Sequence, residues 1–128
     1  MDNLVINNSS VKYKSIKEVF CLDSEYLGCY KDGFWSKQLV KRLWNIGHDN
    51  SPARCGAECR DAGYTFFGLQ NRRECYCGNT LRTQNKAPRE ECNVKCSGDR
   101  SKICGGGFRQ SLYKLENPKA LQIATVEG

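Results

Sequence analysis

Histidine is almost missing from this 128-residue chain: there is one, His48, in the polar stretch "GHDN". Neither H-E-x-x-H nor G-x-S-x-G occurs, which removes the familiar routes to a zinc protease or a serine hydrolase. His48 itself reads as a solvated surface residue. Carboxylates are present at Asp32, Glu74 and Asp99, but nothing in their spacing sets two of them across a glycosidic bond. The chain therefore reads as a binding domain without a cofactor and not as an enzyme. No apolar run approaches the ~18 residues of a membrane-spanning helix. Residues 1–10, "MDNLVINNSS", lack both the basic and the apolar regions of a signal peptide. The chain thus reads as a piece cut from a larger ectodomain, with Met1 added as a start. Apolar residues are 39% of the total, thin for the core of one small domain.

Cysteine, by contrast, is abundant. Nine of them point to a secreted disulfide scaffold rather than a cytosolic protein. A secreted or cell-surface setting also suits Asn7 and Asn8, which both open N-x-[ST] sequons and are candidate glycosylation sites. The net charge of +6 gathers at Lys37, Lys41 and Arg42, at Arg72 and Arg73, and between Arg82 and Arg89. Such charge first serves solubility. It also suits an anionic partner such as a sulfated glycan or an acidic lipid surface. Nucleic acid is not an expected partner outside the cell.

The cysteine-rich body occupies residues 26–115, between flanks at 1–25 and 116–128; Asn117-Pro118 marks the second break. Within it Ser51 suits a helix N-cap, Pro52 the first helical position, and Gly63 the left-handed position beyond the end. A helix is predicted over Pro52 to Ala62. Gly56 in its middle carries a propensity cost of ~1 kcal/mol relative to alanine. Alternation in "YLGCYK", "YTFFGLQ", "RECYCGN" and "FRQSLYKL" predicts strands, with a turn near Gln70 to Arg72. One helix on a small twisted antiparallel sheet, an α+β fold, is the simplest arrangement. "CGGGF" lacks the Walker Lys-Ser/Thr and leads into a strand, so it reads as a tight turn and not a phosphate loop.

Two cysteine pairs have telling spacings. Cys55 and Cys59, at i and i+4 of the helix, share a face about 6 Å apart. Cys75 and Cys77, at i and i+2 of a strand, share a face about 6.6 Å apart. A helix lying along that strand can close two disulfides without forcing its backbone, either parallel or crossed. Zinc is the rival reading, but C-x-C is a tight half-site and the ligand spacings of ordinary zinc folds are missing. A redox C-x-x-C is absent. Short spacing favours Cys96 with Cys104, which leaves Cys29 with Cys92.

The run "YLGCYKDG", "SPARCGAEC", "GYTFFGLQ", "ECYCGN", "ECNVKCSGD" and "CGGGFRQSLY" resembles the WSC domain over Tyr26 to Tyr113. That module occurs in fungal cell-wall stress sensors, Kremen-type receptors and polycystins. The resemblance implies a PAN/apple-like fold and disulfides Cys29–Cys92, Cys55–Cys75, Cys59–Cys77 and Cys96–Cys104. It also implies carbohydrate binding, without one agreed set of ligand residues. Cys21 falls outside the eight-cysteine framework, either unpaired or bonded to something external.

Sugar rings stack on exposed aromatics while amides, carboxylates and arginines bond their hydroxyls. Trp35 and Trp44, in "FWSKQLVKRLWNIGHDN", are the leading candidates, each readable as a platform or as core filling. Tyr30 and Tyr76 neighbour disulfide cysteines, and alternation turns Tyr76 away from the helix, towards a binding surface or a second small core. Asn79 reads as a turn residue and candidate contact, Tyr64 and Phe67 as packing. Arg72 and Arg73 sit at the hairpin tip, where Lys37, Lys41 and Arg42 would complete an anion-binding face if the fold gathers them. The expected partners are glycans, neutral or sulfated, bound weakly per site. The alternative is a protein partner meeting the Trp35–Trp44 segment.

Reduction is expected to unfold the body, each disulfide contributing ~2–4 kcal/mol, whereas a zinc chelator is expected to change nothing. Circular dichroism after each treatment separates the two, and loss of structure with chelator alone would overturn the disulfide reading.

Overall fold

The computed structural model describes residues 24–33, 38–82 and 85–116; Asn7, Asn8, Cys21, Trp35 and Lys37 lie outside them. The elements are β1 (Ser24–Lys31), β2 (Lys41–Leu43), α1 (Pro52–Asp61), β3 (Phe66–Gln70), β4 (Glu74–Gly78) and β5 (Arg109–Leu115). Short 3₁₀ turns at Gly47–Asp49 and Arg89–Glu91 lie between them. The strands form one antiparallel sheet in the order β1–β5–β3–β4–β2, and α1 packs on β3 and β4. This is a small disulfide-rich α+β domain.

Local chemistry sets the helix ends. Ser51 Oγ accepts the Arg54 N–H at 3.0 Å, and Pro52 fills the first turn. Arg54, where a capping box would place glutamate, instead reaches Asp49 at 2.6 Å and Glu58 at 3.3 Å. The helix stops at Asp61, one residue short of the predicted end, because Ala62 already serves as its C-cap. Gly63 follows with φ of 90°; its N–H donates to Arg60 O and that of Tyr64 to Cys59 O, a Schellman closure.

Strand alternation then divides the side chains between two faces. Phe67, Leu69, Cys75 and Cys77 face α1, in a core completed by Ile46, Cys55, Cys59, Cys96, Cys104 and Leu115, with Tyr64 and Tyr113 against it. Tyr30, Tyr76 and Leu112 face the other way, where Leu39 packs among them and Leu27, Phe66 and Leu81 flank them. Four disulfides join the parts: Cys55–Cys75 and Cys59–Cys77, uncrossed, between α1 and β4; Cys29–Cys92, from β1 to the residue after the 3₁₀ turn; and Cys96–Cys104. Their Cα separations of 4.8 to 5.9 Å lie in the ordinary range for a bridge.

Asn50 is a buried polar hub. Its Nδ2 donates to the carbonyls of Arg72 and Glu74, while its N–H donates to Ser97 Oγ. Gly98 N donates in turn to its carbonyl. The "GGGF" turn is tight: a Cβ on Gly105, at φ of 65°, would overlap the Leu69 carbonyl oxygen. Phe108 sits at φ of 54°, a left-handed conformation uncommon for a bulky residue.

Gly56 has a reason that helix propensity does not show. A Cβ there would stand 2.9 Å from two ring carbons of Phe67, and that ring is stacked on Tyr113 behind it. Gly56→Ala is therefore expected to lower stability by about 1–2 kcal/mol, overpacking outweighing the propensity gain. Denaturant unfolding without reductant checks this; a more stable variant would mean the Phe67 ring can yield.

Candidate functional site

The β2 strand is three residues long, yet it decides where the aromatic segment sits. Its ladder with β4 sets Lys41 beside Cys77, Arg42 beside Tyr76 and Leu43 beside Cys75. Leu43 therefore turns inward to the helix-side core, and Arg42 turns to the opposite face with Tyr76. Trp44 follows the strand and is 74% exposed. The Arg42 guanidinium lies 3.7 Å from the centroid of the Trp44 ring and 6.0 Å from that of Tyr76. Arg42 Nε makes no hydrogen bond among the described residues. The guanidinium thus backs one face of the indole, with the cation–π attraction helping to hold the ring in place. The rest of the ring stays open to solvent. Val40, just before the strand, is exposed as well.

Antiparallel pairing brings the end of β2 to the start of β4. Trp44 and the Asn71–Arg73 turn consequently leave the sheet at the same end. Arg73 is exposed and Arg72 partly so. The Arg72 backbone is pinned, its N–H donating to Cys104 O, which helps hold φ at 77°. Asn79 lies at the other end of β4, where its Oδ1 accepts from Thr65 N and Oγ1 at 3.0 and 3.3 Å. It is a structural tie between two segments.

Tyr30 and Tyr76 are core residues and not platforms, only 7% and 5% exposed. Both strands carry them into the second core, which Leu39 joins from a loop. The Tyr76 hydroxyl donates to Glu74 Oε1 at 2.7 Å. Burial pushes the Tyr76 phenol well above its ordinary range; the Glu74 hydrogen bond and charge add to this, Arg42 opposes it, and Asp32 adds a little. The three carboxylates considered for catalysis all have partners. Glu74 holds Tyr76, Asp32 accepts the Gln38 N–H at 2.6 Å, and Asp99 accepts from Ser101 N and Oγ. The sulfurs of Cys55, Cys59 and Cys75 lie within 4.8 Å of one another, but each belongs to a disulfide and none is a thiolate ligand.

The WSC domain pattern matches residues 26–106, well over half of the chain. The chain belongs to the WSC domain family. A WSC domain-containing protein of Arthroderma benhamiae is 40% identical over 93 residues, covering 72% of this chain and 12% of that protein. Xylosyltransferase oxt of Drosophila melanogaster is 37% identical over 89 residues, 69% of this chain and 10% of that protein. Protein SLG1 of Saccharomyces cerevisiae is 37% identical over 67 residues, 52% of this chain and 18% of that protein. The chain thus spans only about a tenth of the first two of these relatives. Among the described residues no helix is long and apolar enough to cross a membrane.

Two members of this WSC domain's tyrosine set should ionise late. Burial raises Tyr113 as well, with Tyr26 adding to the shift and Arg89 opposing it. A phenol whose folded pKa is raised contributes stability that is complete below pH ~10 and is lost as pH climbs through the folded value. Ultraviolet difference titration is expected to show Tyr76 and Tyr113 ionising above the ordinary phenol range, with stability falling above pH ~10. Tyr76→Phe and Tyr113→Phe assign the late phases, and normal titration of either would show that its ring is not shielded.

Proposed function

We propose that this WSC domain is an extracellular carbohydrate-binding module, formed by residues 26–115, in which Trp44 stacks on a sugar ring. The observation that carries this is the indole itself: highly exposed, backed by the Arg42 guanidinium, and standing on the edge of a covalently braced sheet. An exposed tryptophan held this way presents a flat apolar surface that matches the C–H face of a pyranose. Arg72 and Arg73, at the same end of the sheet, are the candidates to bond hydroxyls or acidic substituents. Trp35 belongs to the same segment in sequence and is kept as a second candidate ring. One aromatic platform implies weak binding per copy, so useful attachment comes from neighbouring domains or repeated ligands. No catalytic role is proposed.

A second reading, a protein contact, is favoured by Phe108. Its ring is 58% exposed on a left-handed backbone position that a bulky residue occupies at a cost.

A glycan array read at low and high salt tests the first reading, with Trp44→Ala as the key variant. Trp44→Ala is expected to shift the melting temperature by less than about 4 °C, since an exposed side chain contributes little to the fold. It should weaken binding to the recognised glycan about tenfold or more. Unchanged binding would remove Trp44 from the site. An array that stays silent, with capture of a protein partner that depends on Phe108 and not Trp44, would select the second reading.

A further inference from the structure

Tyr26 and Tyr113 open a second site at the edge of the sheet far from Trp44. There, on the helix side, lies a cleft of about 310 Å³ lined by these tyrosines with Arg89, Lys102, Ile103 and Pro52. Tyr113 stacks on Phe67 with centroids 4.7 Å apart and planes parallel to within 1°. Tyr26, 40% exposed, meets Tyr113 at 5.2 Å and a tilt of 55°. The two rings make an angled corner, and the inner one is firm because Phe67 beneath it abuts Gly56.

The rest of the lining is cationic. The Arg89 guanidinium stands 5.8 Å from the Tyr26 ring centroid. Neither Arg89 nor Lys102 forms an ion pair among the described residues, whereas Arg54, Arg60 and Arg109 each meet a carboxylate. Among the described residues no aspartate or glutamate lines the cleft. Asp99, held ionised first by Ser101 and then by Lys102, lies outside it. Arg89 also draws the Tyr113 phenol down against its burial, so the guanidinium's charge is felt at the cleft floor.

We propose that this cleft is a second ligand site that takes an acidic sugar unit, its ring in the Tyr26–Tyr113 corner and its carboxylate or sulfate between Arg89 and Lys102. The sugar class rests on the carbohydrate reading above; the acidic character rests on the cleft. The volume is at the lower end of the about 300–1,000 Å³ of small-ligand sites, which suits one substituted ring. Charge complementarity settles the sign of the occupant. Two cations with no ion pair among the described residues, over a floor of tyrosine rings, favour an anion and disfavour a neutral residue.

Calorimetric titration of the full chain with polygalacturonate, dextran sulfate and unsulfated dextran tests this, and the first two separate carboxylate from sulfate. Arg89→Ala/Lys102→Ala is expected to weaken the preferred acidic polymer about tenfold, as two exposed charge contacts allow. Lys41→Ala/Arg82→Ala, which removes the same charge from exposed positions elsewhere, should have far less effect. Equal losses in the two double variants would reduce the effect to net charge and overturn the site. So would acidic polymers bound no better than dextran. If the array then finds a neutral glycan, the cleft proposal falls alone; if every glycan and polymer is silent, the carbohydrate reading falls with it. Binding of polyglutamate at this cleft in place of the polymers would overturn the sugar assignment in favour of an acidic peptide.

Discussion

Two disulfides one helical turn apart hold α1 on β4, and much of the domain is arranged around that pair. All four sulfurs are fully buried, so in a chain with a thin apolar fraction they serve as core atoms as well as crosslinks. The short reach of a disulfide draws the helix close to the sheet. At that approach one helical position faces the Phe67 ring with no room for a side chain, which is why Gly56 stands there. Phe67 passes the contact on to Tyr113, and Tyr113 to Tyr26 at the sheet edge. A covalent constraint at the centre therefore sets ring positions at the periphery.

The opposite edge inherits its order by another route. The β2 strand has only three residues and, among the described residues, pairs only with β4, the strand that carries both bridged cysteines. Arg42 lies near both Trp44 and Tyr76, and Tyr76 is held by Glu74 and by the second core. The exposed indole thus packs on Arg42, which in turn lies near the buried Tyr76. Were this edge to meet a ligand, a surface held this way would give up little conformational freedom, which helps a small contact area bind.

Some of this was readable in the chain before folding, and some was not. Helix α1 was readable because Ser51, Pro52 and Gly63 act through bonds to near neighbours. The strands with clear alternation were readable for the same local reason. The β2 strand was hidden, since "KRL" is too short to alternate. Alternation gave the direction of Tyr76 but not its burial, because Leu39 and Leu81, which share that face, come from loops. Asn50 looked like a polar loop residue; its partners arrive from Arg72, Glu74 and Ser97, far along the chain. Tyr26 and Arg89 are likewise distant in sequence, and the Cys29–Cys92 bridge brings their segments together.

That bridge encloses a long stretch of chain, 63 residues from one cysteine to the other. It contains β2, α1, β3 and β4, along with the loops between them. A protease that cuts any peptide bond inside this stretch still leaves the two pieces covalently joined through Cys29 and Cys92. Proteolytic nicking there would yield a two-chain protein rather than fragments, able to keep both edges of the sheet in one molecule wherever the severed loop is not itself part of the packing.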